Sequence, residues 1–320
     1  MRRSRRHGNR GFFQGLGFLP GGNQSFVQGV NADGTVVVGF SGVEHGNAQA
    51  FRWTAASGMV GLGFLPGFML QSEARGVNAD GTVVVGDALG PAATAQAFRW
   101  TAASGMVGLG GSSSGATGVN ADGTVVVGGA ADASGHGQAF RWTAASGMVL
   151  LGFLPGGSSS GANGVNAEGT VVVGENLTPP AATAQAFRWT AASGMVGLGF
   201  LPGGSSSGAN GVNADGTVVV GGAADASGRP QAFRWTRATR MQSVLTLLLA
   251  AKVVTMDFGW QLRSANGVSA DGTVIAGDGF DPLGLHQGWI ARLPKESNED
   301  CEEDDDNQGD NDNQGEDFGQ

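Results

Sequence analysis

The chain has 320 residues and combines 59 Gly and 10 Pro with an apolar fraction of 41%, too apolar for a disordered linker and too glycine-rich for a helical bundle. The net charge of −9 is uneven: residues 1–10 carry five Arg and no acid, residues 11–294 carry 12 basic against 15 acidic groups, and residues 295–320 carry one base against 12 acids. A nearly neutral body without a basic stripe argues against nucleic acid as its partner, and its most apolar run, Val244 to Val254, falls well short of the roughly 20 residues of a transmembrane helix.

Along the chain, residues 1–10 read as a basic disordered start. Arg10 is followed by Gly11-Phe12-Phe13-Gln14-Gly15, too short and glycine-broken for the apolar core of a secretory signal, so no signal peptide is expected. From there to residue 294 the chain repeats itself. The block Gly-Val-Asn-Ala-Asp-Gly-Thr-Val-Val-Val-Gly starts at Gly29, Gly76, Gly118, Gly164 (with Glu168 for Asp) and Gly211, and a looser copy starts at Gly267. A second block, Gln-Ala-Phe-Arg-Trp-Thr, starts at Gln49, Gln96, Gln138, Gln185 and Gln231, and Gln287-Gly288-Trp289 replaces it in the sixth unit.

Each unit divides into four strand-like pieces, a to d. Piece a leads into Ala-Asp-Gly, a hairpin signal for a type I′ turn, and piece b is Thr35 to Val38 in the first unit. In piece c, Phe51 and Trp53 share one face and read as core, with Arg52 on the other face available to pair with the turn acids. Piece d runs from Met59 to Leu65 and stops at Pro66-Gly67. Four short strands per unit of 40 to 50 residues predict an all-β, six-bladed β-propeller over residues 11–294, with a parallel β-solenoid as the alternative. A spare d-like piece, Phe12 to Leu19, precedes the first unit while the sixth ends after piece c. The N-terminal piece is therefore expected to close the last blade. The sixth unit also inserts Ser243 to Lys252, with Leu245, Leu248 and Leu249 spaced for one face of a short helix. Residues 295–320 read as an acidic disordered tail, and its single cysteine, Cys301, rules out an intrachain disulfide.

These repeats, with Leu-Pro-Gly-Gly-Ser-Ser-Ser and Gly-Met-Val-Gly-Leu-Gly between them, resemble the HAF repeat family of extracellular repeat proteins. The family's His-Ala-Phe triplet reads Gln-Ala-Phe here. The resemblance implies a secreted or surface location and an interaction role; the missing signal is in tension with that location and leaves the cytoplasm open.

The a-b and c-d turns hardly vary between units, whereas the b-c loops do, so the face carrying the b-c and d-a loops is the expected binding face. Asp87, Glu175 and Asp278 follow piece b in units two, four and six and would alternate around the ring, able to attract a cation or a basic group; duplication of a double unit explains two of them equally well. His45, His136 and His286 fall in b-c loops, unevenly spaced and without cysteine partners, so neither metal nor cofactor is expected. The repeated turn acids are explained by their turns, and the EF-hand-like start at Asp310 lacks its closing Glu. The expectation is a non-catalytic, monomeric binding module for a glycan or protein. The alternatives are a propeller glycoside hydrolase or lyase using Asp87, Glu175 and Asp278, which would have to work without any Tyr, and a structural spacer.

Overall fold

The structure is a computed structural model that describes residues 14–43, 47–91, 94–179 and 183–294. It is a six-bladed β-propeller. Blade one comprises β1 (Ser25–Val30), β2 (Val36–Gly42), β3 (Ala48–Thr54) and β4 (Gly58–Gly61). Blade two comprises β5 (Gln71–Val77), β6 (Val83–Leu89), β7 (Ala95–Thr101) and β8 (Gly105–Gly108). Blade three comprises β9 (Ser112–Val119), β10 (Val125–Ala131), β11 (Gly137–Thr143) and β12 (Gly147–Leu150). Blade four comprises β13 (Ser159–Val165), β14 (Val171–Thr178), β15 (Thr183–Thr190) and β16 (Gly194–Gly197). Blade five comprises β17 (Ser207–Val212), β18 (Val219–Ala224), β19 (Pro230–Thr236) and β20 (Arg240–Ser243). The helix α1 (Val244–Ala250) then leads to blade six, made of β21 (Gln261–Val268), β22 (Val274–Phe280) and β23 (His286–Arg292). Every blade is an antiparallel meander, and the first strands of successive blades lie side by side.

The core lies between blades. Val36, Val38 and Ala50 of blade one pack on Ala74, Val84, Ala88 and Phe98 of blade two, and the linker residues Leu62 and Leu65 fill the outer part of the same layer. The phenylalanine of the second block is fully buried in all five copies, a gain of about 1.5–3 kcal/mol for each such side chain. Polar groups join the blades as well. Ala32 N–H donates to the Ala79 carbonyl at 3.3 Å, and the same step runs from Ala79 to Ala121, Ala167, Ala214 and Ala270. The arginine of the second block adds a second rung. Arg52, Arg99, Arg141 and Arg188 each donate through Nε to the turn glycine carbonyl of the next blade, at 2.9–3.2 Å. The expected pairing with turn acids is thus replaced by a bond to backbone, which uses a buried carbonyl that would otherwise lack a partner.

The a-b turn also differs from expectation. Gly34 has φ +76° but Asp33 does not have positive φ, so the turn is not type I′, which needs both central residues there. Asn31 to Gly34 form a turn closed by Gly34 N–H on the Asn31 carbonyl, while Asn31 Oδ1 accepts from Val36 N and Asp33 Oδ1 accepts from Thr35 N and Oγ1. The side chains supply the acceptors, and only the glycine takes the left-handed conformation. In the fourth copy Glu168 is one methylene longer, and Asn166 Oδ1 accepts from Thr170 N instead.

The ends of the ring differ most. The sixth sheet has three strands, and among the described residues 14–19 no strand pairing joins β23. The N-terminal piece behaves instead as the linker of blade one. Leu16 and Leu19 pack around Phe51 and Trp53, Leu19 N donates to Ser41 Oγ, and Ser25 Oγ donates to the Gly17 carbonyl, as Ser72 does to Gly63. Residues 12 and 13 of that piece lie outside the described residues. No described bond carries the alanine ladder from Ala270 back to Ala32. Among the described residues both flanks of this seam are uncovered: Val27 is 56% exposed where Ala74 has no exposure, and Ile290 is 76% exposed where the other units place the arginine of the second block.

The insertion forms the expected short helix, capped by Ser243, whose Oγ accepts from Thr246 N. Its buried residues are Val244 and Leu248, with Leu245 and Leu247 packed against the same core under blade six.

Candidate functional site

The two faces of the propeller are built differently. On the a-b and c-d side, side chains are spent on the fold. The Thr35, Thr82, Thr124 and Thr217 hydroxyls and amides hold Asp33, Asp80, Asp122 and Asp215 below the usual carboxylate range. Each c-d turn is stapled by a threonine-serine pair such as Thr54 and Ser57 at 2.8 Å, or by Thr236 and Thr239 in blade five.

The opposite face, with the b-c and d-a loops, carries the sequence-predicted acids, though in the strands and not in the loops themselves. Asp87, Glu175 and Asp278 lie inside the second strands β6, β14 and β22, at the register position that faces the first strand of their own blade. They differ in surroundings. Asp87 is bonded by Arg75 Nε, and Arg75 also bridges to Glu73 at 3.1 Å; the Asp87 hydrogen bond comes first among the causes that raise the Arg75 pKa. Glu175 is exposed and near Gly208 of the next blade, and its carboxylate meets no charged partner among the described residues. Asp278 accepts from Asn266 Nδ2 at 2.9 Å and from His286 Nε2 at 2.9 Å. The structure therefore brings together Asp278 and His286 but not the three acids. Among the described residues no group of three or more His, Cys, Asp or Glu is placed to hold a metal ion, so the alternating carboxylates do not share one.

His136 belongs to a loop whose organiser is Asp132: its Oδ1 accepts from Ser134 N and His136 N, and its Oδ2 accepts from Gln138 Nε2. Asp225 and Asp281 repeat the pattern in blades five and six, so the position of His136 is filled by Arg229 and Leu285 in equivalent loops. His45 lies outside the described residues. The spacing Asp-x-x-Gly in all three loops was the available signal for these anchors, and they are structural.

Sequence reasoning missed the aromatic and apolar content of this face. Phe26 and Phe40 stack at 5.0 Å in blade one, at the register positions that Glu73 and Asp87 hold in blade two. Phe280 in blade six takes the Arg263 guanidinium over its ring at 5.1 Å and meets His286 edge-on. Large exposed apolar side chains of the b-c and d-a loops, Met69, Leu70, Leu283 and Leu285, belong to blades six and two and the linkers beside blade one. Where the linker into blade two has Phe68-Met69-Leu70, the linkers into blades four and five read Gly157-Ser158-Ser159 and Gly204-Ser205-Ser206, with Phe200 the exposed aromatic of the latter, and Leu283 and Leu285 are Ser134 and His136 in blade three and Ser227 and Arg229 in blade five.

Cavities lie on the other side. One of about 740 Å³ sits between blades four and five and is lined by Arg188, Ser193, Arg234, Arg237 and Arg240. Another of about 510 Å³ is lined by Arg52 of blade one, Arg99 and Ala102 of blade two and Asp122 of blade three.

No family model matches the chain, and no curated protein sequence matches it. Solved structures do. The β-propeller domain of the Trilobed protease from Pyrococcus furiosus, described as having an open velcro topology, aligns at 7% identity with a TM-score of 0.54, over 83% of this chain and 82% of that one. A prolyl endopeptidase aligns at 13% identity and TM-score 0.55, over 84% of this chain and 41% of its own. TolB from Acinetobacter baumannii aligns at 13% identity and TM-score 0.47, over 68% of this chain; the chain spans 53% of TolB's length. At such identities the likeness carries the propeller fold alone.

Proposed function

We propose that this protein is a non-catalytic binding module that meets its partner on the b-c and d-a loop face of blades six, one and two. The observation that carries this reading is the uneven placement of exposed apolar side chains: Met69 is 67% exposed and Leu283 is 84% exposed, beside charged groups already positioned by Arg75 and His286. Exposed apolar groups clustered beside polar ones are the composition of an interaction patch. Long aliphatic side chains favour a protein partner. The stacked Phe26 and Phe40 favour a second reading, in which a sugar ring lies on that platform. The resemblance to HAF repeats supports a secreted or surface location for such a module.

The test is binding of the full chain and of a Met69→Ser/Leu283→Ser/Leu285→Ser variant to a panel of soluble polysaccharides and to surface proteins of the producing cell. These residues are exposed, so the variant keeps the fold within about 0.5 kcal/mol. Loss of binding in the variant supports a protein partner; loss only in Phe26→Ser supports the glycan. Undiminished binding by both variants contradicts the assignment of the face.

A further inference from the structure

We infer that the seam between blades six and one is a reversible joint, at which blade six closes onto the flank of blade one while the other interfaces stay latched. The repeat supplies the template of the closed form. Between blades one and two, Ala50 N donates to Ser72 Oγ at 3.0 Å, and the same bond joins Ala97 to Ser114, Ala139 to Ser160 and Ala186 to Ser207. The Ala50 carbonyl accepts from Leu62 N at 2.8 Å, as the Ala97, Ala139 and Ala186 carbonyls do from Leu109, Leu151 and Leu198. The alanine ladder is the third link.

At the seam the partners of all three links are present, yet no described bond makes any of them. Gly288, exposed, stands where Ala50 does; Ser25 and Leu16 stand where Ser72 and Leu62 do. Blade one already holds its half in place. Leu16 packs beside Phe51 and Trp53, and Ser25 Oγ donates to the Gly17 carbonyl at 2.9 Å, as Ser72 does to Gly63 at 2.8 Å. A hydroxyl that donates keeps the lone pairs to accept from Gly288 N. Closure thus forms Gly288 N to Ser25 Oγ, Leu16 N to the Gly288 carbonyl, and Ala270 N to the Ala32 carbonyl.

The side chains at the seam have exchanged volume. Elsewhere Val38 and Ala50 pack on Ala74 of the next blade. Here the first pair becomes Ala276 and Gly288, both exposed, and the facing alanine becomes Val27. Smaller groups on one flank and a larger one on the other keep the layer fillable. What has been removed is the polar latch. Ile290 replaces the arginine that bonds the next turn glycine, as Arg52 does to Gly81, and Ser269 replaces the asparagine whose Nδ2 reaches the next alanine carbonyl, as Asn31 does to Ala79. A joint that lacks its charge-assisted bond is the weakest of the ring and the one that opens. The loop face of blades six, one and two lies across it, so closure sets the spacing of Leu283 and Met69. The joint exists whether or not that face binds a partner.

The experiment is double electron-electron resonance on the full chain in a Cys301→Ser background. Spin labels at Asn23→Cys and Leu283→Cys report the seam, and labels at the equivalent positions Ser158→Cys and Ser134→Cys report the latched interface of blades three and four. The seam pair is expected to show two distances, the shorter a minority close to the single distance of the control pair. Ile290→Arg supplies a guanidinium for the Gly34 carbonyl and is expected to raise the short-to-long ratio by about tenfold or more. Val27→Asp, which places a charge that is solvated when open and buried when closed, is expected to remove the short distance. A change in the expected direction with either variant supports the joint. A single seam distance, long or short, or a short fraction that neither variant moves in its expected direction, overturns it.

Discussion

Val27 and Ala74 hold the same place in the first strands of blades one and two, yet the valine is 56% exposed and the alanine has no accessible surface. The difference comes from their neighbours: Ala74 faces Val36, Val38 and Ala50 of the preceding blade, whereas Val27 faces the open seam beside blade six. Adding two methyl groups at Ala74 overfills a packed layer. Ala74→Val is expected to cost about 1–3 kcal/mol in denaturant unfolding, and Val27→Ala to change stability by less than about 0.5 kcal/mol. A large loss from Val27→Ala would mean that the seam is filled in solution.

Arg240 gives a second stability test, independent of any ligand. Arg240→Gly removes a Cβ from a left-handed position that the other blades fill with Gly58, Gly105, Gly147 and Gly194. The variant is expected to gain about 1 kcal/mol, read as a higher denaturant midpoint with unchanged slope.

Gly86 faces the opposite constraint. A Cβ there would lie 1.9 Å from the Glu73 carbonyl oxygen, beside the register shift between Ala74 and Gly76, and the same clash recurs at Gly39, Gly128, Gly174, Gly221 and Gly277. Backbone cannot move aside as a side-chain tip can. Gly86→Ala is expected to destabilise by at least about 1–3 kcal/mol, measured by the shift of the unfolding midpoint.

The turn aspartates contribute to the acid response, together with Asp132, Asp225 and Asp257, which are lowered as well. Asp33, Asp80, Asp122 and Asp215 have folded-state pKa values below the ordinary 3.8, chiefly through threonine hydroxyls. A lowered folded value means that the unfolded chain binds protons first, so this contribution is intact above the unfolded value and lost as pH falls through the folded one. The thermal midpoint is expected to be insensitive to these groups between pH 7 and 5 and to fall below roughly pH 4. Changing all four to Asn, which keeps an acceptor oxygen but no titration, is expected to flatten that fall.

The blades were legible because identical units force identical strands: the Asp-Gly turns, the Phe-x-Trp alternation and the helical spacing after Ser243 all mark elements that formed. The turn type was misread because Asn31 and Asp33 supply side-chain acceptors that a rule based on Asp-Gly alone does not count. The seam was hidden for a different reason. A d-like sequence at residues 12–19 suits both a closing strand and a linker, and the packing of Leu16 and Leu19 on Phe51 decides for the linker over the described part. The arginine-lined cavity was visible only as two departures from a repeat, Arg237 and Arg240, beside which the fold brings Arg188 from the neighbouring blade.

The central claim is that the loop face of blades six, one and two meets the partner. It is tested most directly by placing a photo-crosslinking residue at Leu283 in one full-length protein and at Ser134, in the corresponding loop of blade three, in another, then exposing each to intact producing cells. Adducts from position 283 alone, competed by excess unlabelled protein and lost when Met69→Ser is added, are the predicted result. Equal labelling from both positions, or labelling from position 134 alone, would contradict it.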